Sequence, residues 1–176
     1  MKYEGPPIAS AVSDGEAQWL FDQAQDMSSI VEIGSFHGKS TRALLSGCSG
    51  TVYAVDWFKG SPGHPTDMVN RPEQLETAKP EFLKNTAGFS NLKHLETRSS
   101  KAAKHFVSRS VDMVWIDGDH AYETVLLDIL LWLPKTRILI CGHDITDSEV
   151  QEAVDYCFSS WQNPTGTIWE ARICDH

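Results

Sequence analysis

Six short runs of apolar and β-branched residues recur along the chain with helical patterns between them. This alternation constrains the fold more than any other feature. The runs are Ser29–Gly34, Thr51–Asp56, the weaker Leu92–Glu96, Val111–Asp117, Arg137–Cys141 and Thr167–Ile173. Between them the pattern turns helical: roughly residues 14–26, opened by the capping box Ser13-x-x-Glu16, then Lys39–Ser46, Pro72–Ala87 with an interruption near Pro80, Lys101–Val107 and Tyr122–Leu133. Val150, Ala153, Val154, Cys157, Phe158 and Trp161 then mark one face of a further helix, with Thr146-x-x-Glu149 as its expected cap. Strands alternating with helices build βαβ units and a mostly parallel sheet. The nearly continuous apolar runs suit strands covered on both faces. The expectation is a Rossmann-like, doubly wound α/β fold in three layers, α/β/α, formed by residues 1–176 as a single domain.

Composition narrows the partners. The 176 residues carry 15 basic and 24 acidic side chains, a net charge of −9, which argues against a nucleic-acid or anionic-membrane surface. The longest apolar stretch, Val125–Leu133, is interrupted by Asp128 and is too short to span a bilayer. The first residues lack the apolar core of a signal peptide. Cys48, Cys141, Cys157 and Cys174 have no CxxC spacing, so reduced thiols and a cytoplasmic location are expected.

In an open parallel sheet, ligands bind beyond the carboxyl ends of the strands. Those ends here are polar and acidic: Gly34-Ser35-Phe36-His37-Gly38-Lys39-Ser40, Asp56, Asp117 and His143-Asp144. The glycine loop is not a phosphate-binding P-loop, because three residues rather than four separate its glycines. Nor is it a dinucleotide GxGxxG, since Phe36 occupies the second glycine position. What remains, Glu32-x-Gly34-x-x-x-Gly38, resembles motif I of the class I S-adenosylmethionine-dependent methyltransferases. The resemblance puts Glu32 at the amino group of S-adenosyl-L-methionine, with Gly34, Ser35 and Gly38 shaping the cradle. Asp56, twenty-two residues beyond Gly34, stands at a strand end where a carboxylate accepts hydrogen bonds from ribose hydroxyls. Trp57 is a candidate to pack on the adenine, and Ser99 and Ser100 to meet its edge.

The string Asp117-Gly118-Asp119-His120-Ala121-Tyr122, with His143-Asp144, sharpens the resemblance. It is similar to the branch of small-molecule and sugar O-methyltransferases, including macrolide-tailoring and catechol- or caffeoyl-CoA-like enzymes. In metal-dependent relatives, the corresponding positions hold one divalent cation. The resemblance therefore implies Asp117, His143 and Asp144 as ligands, with Asp117 also bordering the cofactor. A Mg²⁺ ion there would lower the pKa of an acceptor hydroxyl. Imidazole is a poorer Mg²⁺ ligand than carboxylate, so a metal-free reading stands beside it, with His143 or His120 as general base and Asp117 in the catalytic set. Asp119 is expected to cap the helix at 122–133, and Tyr122 to line the acceptor pocket or start that helix.

Two further expectations concern the surroundings. Residues 57–72, rich in glycine and proline and including His64 and Asp67, form a lid or acceptor loop. The helix at 122–133 is apolar almost all round, so it is either buried under its neighbours or part of a homodimer interface. The resulting expectation is methyl transfer to a hydroxyl of a small molecule or sugar. Two other readings are a non-catalytic nucleoside-binding module of the same fold and a nucleotide hydrolase using Gly38-Lys39-Ser40.

Overall fold

The computed structural model describes residues 1–61 and 70–173. One six-stranded sheet, in the order β3-β2-β1-β4-β5-β6, organises the chain. Its strands are β1 (Ser29–Ile33), β2 (Thr51–Val55), β3 (Leu92–Leu95), β4 (Val111–Ile116), β5 (Thr136–Gly142) and β6 (Trp169–Arg172). All neighbours pair in parallel except β5 and β6, which are antiparallel. The helices are α1 (Asp14–Ala24), α2 (Lys39–Gly47), α3 (Pro72–Asn85), α4 (Ser99–Ala102), α5 (Tyr122–Trp132) and α6 (Ser148–Cys157).

The alternation of side chains along each strand feeds two cores. Ile30, Val52, Met113, Trp115 and Leu139 face α1 and α2 on one side. Val31, Ile33, Val114, Ile116 and Ile140 face α5 and α6 on the other. The three-layer expectation is therefore met, and strands covered on both faces explain the unbroken apolar runs. Cys48, Cys141 and Cys157 carry free thiols, and Cys174 lies outside the described residues. Among the described residues, no helix is long and apolar enough to cross a membrane.

Several local expectations change. Helix α3 runs through Pro80 without interruption. Pro80 and Glu76 are both exposed, so water can satisfy the carbonyl that a proline leaves without a partner. Helix α4 starts at Ser99 and gives way to a 3₁₀ turn at Ala103–His105, so it ends short of Val107. Asp147, not Thr146, caps α6, accepting from the Glu149 amide at 2.9 Å. The helix ends at Cys157, which leaves Phe158 and Trp161 beyond it. Asp119 accepts from the Ala121 amide at 3.0 Å in the turn before α5, while the Tyr122 amide is satisfied by Glu149 at 2.9 Å. Helix α5 buries Val125, Asp128, Ile129 and Trp132, yet Leu127 and Leu130 stay 47% and 53% exposed. Packing within the chain thus accounts for only part of its apolar surface.

One buried acid pins the amino-terminal ends of the central strands. Asp112 accepts from the Ser28 amide (2.9 Å), the Ser28 hydroxyl (2.7 Å) and the Ser29 amide (3.1 Å), and pairs with Arg137. It lies where the β4–β5 register shifts, with β5 carrying one extra residue between the pairs Val111–Thr136 and Met113–Leu139. Burial pushes the Asp112 carboxyl up, but the Ser28 bonds and Arg137 outweigh it and hold its pKa below the ordinary value. Asp112→Ala is expected to cost about 2–4 kcal/mol, because the Ser28 and Ser29 amides lose their acceptor. The wild-type advantage should be full above the unfolded carboxylate pKa of ~4 and should fade as pH falls through the lower folded value. Urea denaturation of both proteins between acid and neutral pH checks this. An unchanged midpoint at neutral pH would refute it.

Candidate active site

The carboxyl ends of β1, β2 and β4 converge on a cavity of about 300 Å³. The turn after β1 forms its floor. Gly34 takes φ +83°, and its amide donates to the Val55 carbonyl at 2.9 Å. A side chain there would lie 2.0 Å from the Asp117 carbonyl oxygen, so only glycine lets β1 and β4 end this close together.

Asp56 organises that turn. One carboxylate oxygen accepts the Ser35 and Phe36 amides, both at 2.9 Å, and the other accepts the Phe58 amide at 2.7 Å. The carboxylate also lines the cavity, where remaining lone pairs are open to hydroxyl donors. Trp57 borders the same space, with its indole N–H donating to the Gly60 carbonyl at 2.8 Å and the Arg98 guanidinium 4.0 Å above its ring. Ser99, Ser100 and Asp117 line the cavity as well. Phe36, held at φ +44°, is a lining residue that the sequence pattern did not single out.

Glu32, Ser35 and Gly38 sit behind the turn and not in the cavity wall. Glu32 is fully buried, with one oxygen accepting from the Ser35 hydroxyl (2.8 Å) and the Thr41 hydroxyl (2.5 Å). Its second oxygen has no protein partner. Burial pushes the carboxyl up to about 7, against the pull of the Ser40, Thr41 and Ser35 hydroxyls. Gly38 is the N-cap of α2. Lys39 pairs with Asp14 of α1 at 2.8 Å and is not among the lining residues, so the Gly38-Lys39-Ser40 run is not presented to the cavity.

Beyond Asp117 lies a second cavity of about 10 Å³, lined by Asp117, His120, His143 and Asp144 among others. That is about the size of one water or ion. Asp144, at φ +58°, has an oxygen 3.0 Å from His120 Nε2 and also 3.0 Å from His143 Nδ1. Burial pushes Asp144 up, but the two imidazoles outweigh it and hold it well below the usual carboxylate range. Burial raises Asp117 to about 6, a rise that His143 opposes and Asp144 reinforces.

The two histidines both meet Asp144 but differ in their surroundings. His143 is buried between β5 and α1, with Nε2 3.0 Å from the Thr167 hydroxyl and 3.2 Å from Glu16. Burial disfavours its charge, but Asp144, Asp117 and Glu16 outweigh that and push its pKa up to about 9. His143 Nδ1 lies 3.8 Å from Asp117 and 3.0 Å from Asp144, so the three residues named from the sequence do come together. The group whose donor atoms lie within 4.8 Å of one another is Asp117, His120 and Asp144. His120, about 29% exposed at its side chain, is the more accessible of the two imidazoles. Tyr122 is not among the cavity residues. Of the expected lid, Trp57, Phe58, Gly60 and Ser61 line the cavity, whereas residues 62–69, with His64 and Asp67, lie outside the described residues.

A doubly wound sheet with a glycine turn after β1 and an acid ending β2 defines the class of nucleoside-binding α/β domains. Within that class, the methyltransferase domain family model matches residues 31–145, and the chain belongs to that family. Solved structures repeat the fold. The O-methyltransferase TomG from Streptomyces achromogenes, in complex with SAM, superposes with a TM-score of 0.67 at 14% identity, covering 94% of this chain and 82% of that one. An O-methyltransferase from Bacillus cereus in complex with SAH gives 0.60 at 18% identity, covering 93% and 83%. A Corynebacterium glutamicum protein gives 0.68 at 15% identity, covering 95% and 84%. No curated protein matches the sequence. The expected class I methyltransferase is borne out at the level of family and fold.

Proposed function

We propose that this chain binds S-adenosyl-L-methionine and transfers its methyl group to a hydroxyl oxygen of a small molecule or sugar. The observation that carries this reading is Asp56, whose carboxylate gathers the glycine-turn amides while opening into the cavity beside Gly34 and Asp117. A ribose placed on Asp56 sets the methionine part against the turn. Glu32 lies beneath that turn, and its unpaired oxygen would accept from an ammonium group through a bridging water. Asp117 borders both this cavity and the one lined by His120 and Asp144, so these residues would meet the acceptor near the sulfonium methyl.

A sulfonium methyl is already activated, so the protein's task is to align the acceptor oxygen and take its proton. His120 is the base in this reading. Asp144, 3.0 Å from its Nε2, orients the ring and stabilises the imidazolium formed as the proton arrives. Asp117 fixes the acceptor through a hydrogen bond.

The clustered donors of Asp117, His120 and Asp144 support a second reading, in which these three residues hold a divalent cation. Bound there, a cation would lower the acceptor's pKa. One imidazole with two carboxylates suits Mn²⁺, Fe²⁺ or Zn²⁺ at least as well as Mg²⁺.

Calorimetric titration with S-adenosylmethionine and S-adenosylhomocysteine, with and without Mg²⁺ or Mn²⁺ and with ATP as control, tests the cofactor. Micromolar binding of the first two but not ATP is expected, and ATP binding alone would overturn the proposal. Asp144→Ala is expected to leave S-adenosylhomocysteine affinity within about threefold while lowering methyl transfer ~10²–10⁴-fold, the usual range for a positioned acid or base. Unchanged turnover in this variant would remove Asp144 from the reaction. A metal requirement abolished together with His120 would favour the cation reading.

A further inference from the structure

Asp128 is an acid in the middle of α5, between Leu127 and Ile129. It is 6% exposed and lines the large cavity beside Ser99, Ser100, Thr124 and Leu127. Ser99 hydrogen-bonds its carboxyl, and the Ser99 hydroxyl in turn accepts the Trp132 indole N–H at 2.8 Å. Among the described residues, its charged neighbour is Asp119, another acid, and no cation balances it. Arg98, a cation bordering the same cavity, is stacked on Trp57. Burying a carboxyl in an apolar helix without a counter-charge is costly unless something bonds it. The reaction proposed above makes no use of it.

Its place in the cavity identifies what that something is. Asp56 ends β2, with β1 and β4 on one side and β3 on the other. A nucleoside whose ribose rests on Asp56 must send its sulfonium arm past β1 toward the acids after β4. Its base therefore points to the β3 side, where Ser99, Ser100 and α5 close the cavity. The ring edge left facing that wall is the one bearing the exocyclic amine.

We propose that Asp128 is the residue that selects adenine, accepting a hydrogen bond from its 6-amino group and meeting N1 beside it. This inference rests on the S-adenosylmethionine reading. A carboxylic acid presents one acceptor and one donor side by side, and the adenine edge presents N6–H and N1 in the complementary order. Burial, with Asp119 adding to it and Ser99 opposing, raises the Asp128 carboxyl to about 6, so the neutral acid is within reach near physiological pH. The Trp132–Ser99 pair fixes the carboxyl from behind and makes it a rigid reader.

The test compares two ligands on three proteins by calorimetry: S-adenosylhomocysteine and its analogue with hydrogen in place of the 6-amino group. Wild type is expected to bind the analogue ~10–100-fold more weakly, the effect of losing a hydrogen bond to an ionisable partner. Asp128→Asn, which keeps a donor and an acceptor together, should preserve that preference. Asp128→Leu should bind both ligands about equally. A Leu variant that keeps the wild-type preference would overturn the assignment, and so would a wild type without one. That second outcome needs no variant to fold. Failure of wild type to bind S-adenosylhomocysteine at all would overturn the cofactor reading itself, and this assignment with it.

Discussion

Replacing Asp56 with alanine is expected to weaken S-adenosylhomocysteine binding by ~10²–10⁴-fold. Two hydroxyl bonds to a carboxylate are lost, each worth ~1.5–3 kcal/mol, with tenfold in affinity for every ~1.4 kcal/mol. The same change frees the amides of Ser35, Phe36 and Phe58, so the turn loses its template as well as the ligand its anchor. Calorimetry measures the affinity, and circular dichroism checks that the sheet persists. Wild-type affinity in the variant would sink the ribose assignment, and the orientation of the whole nucleoside with it.

Gly34→Ala is expected to be severely damaging, costing about 4 kcal/mol or more. Its side-chain carbon would enter the Asp117 carbonyl, a backbone atom that cannot swing aside. The strand ends are also tied by the Asp117 amide to the Ile33 carbonyl at 2.8 Å, so widening the gap breaks sheet bonds. Gly88 provides the control. It has a similar φ of +89°, but a side chain there would meet nothing within 4 Å. Gly88→Ala should therefore cost only the ~1–2 kcal/mol of left-handed backbone. Urea midpoints of the two variants measure the difference, and equal losses would show that the close approach of β1 to β4 is unimportant.

Much of the frame was legible in the sequence because burial on both faces writes itself as unbroken apolar runs. Each strand was found within two residues of its ends, and Ser13-x-x-Glu16 capped α1 as read. Asp56, Gly34 and Asp117 were legible because strand ends are where a parallel sheet presents polar groups. The different surroundings of His120 and His143 were not. They depend on which way Asp144 turns in a left-handed backbone and on Glu16, which lies over a hundred residues away in sequence. The burial of Glu32 beneath the turn was harder to read: strand periodicity puts it on the opposite face from Ile33, where it meets the Ser35 and Thr41 hydroxyls. Asp128 was hidden for the opposite reason: a lone acid in an apolar run reads as an interruption until a cavity appears beside it.

Glu16 gives the molecule a dependence on chain closure. Its carboxylate completes the cap of α1, accepts the Thr167 amide at 2.8 Å, and stands 3.2 Å from His143. The charge balance behind Asp117 and Asp144 is thus assembled from residues near the first helix and just before the last strand. The surroundings of His143 are therefore complete only when the segment before the last strand has docked on the first helix, so the two distant parts of the chain share one buried polar junction.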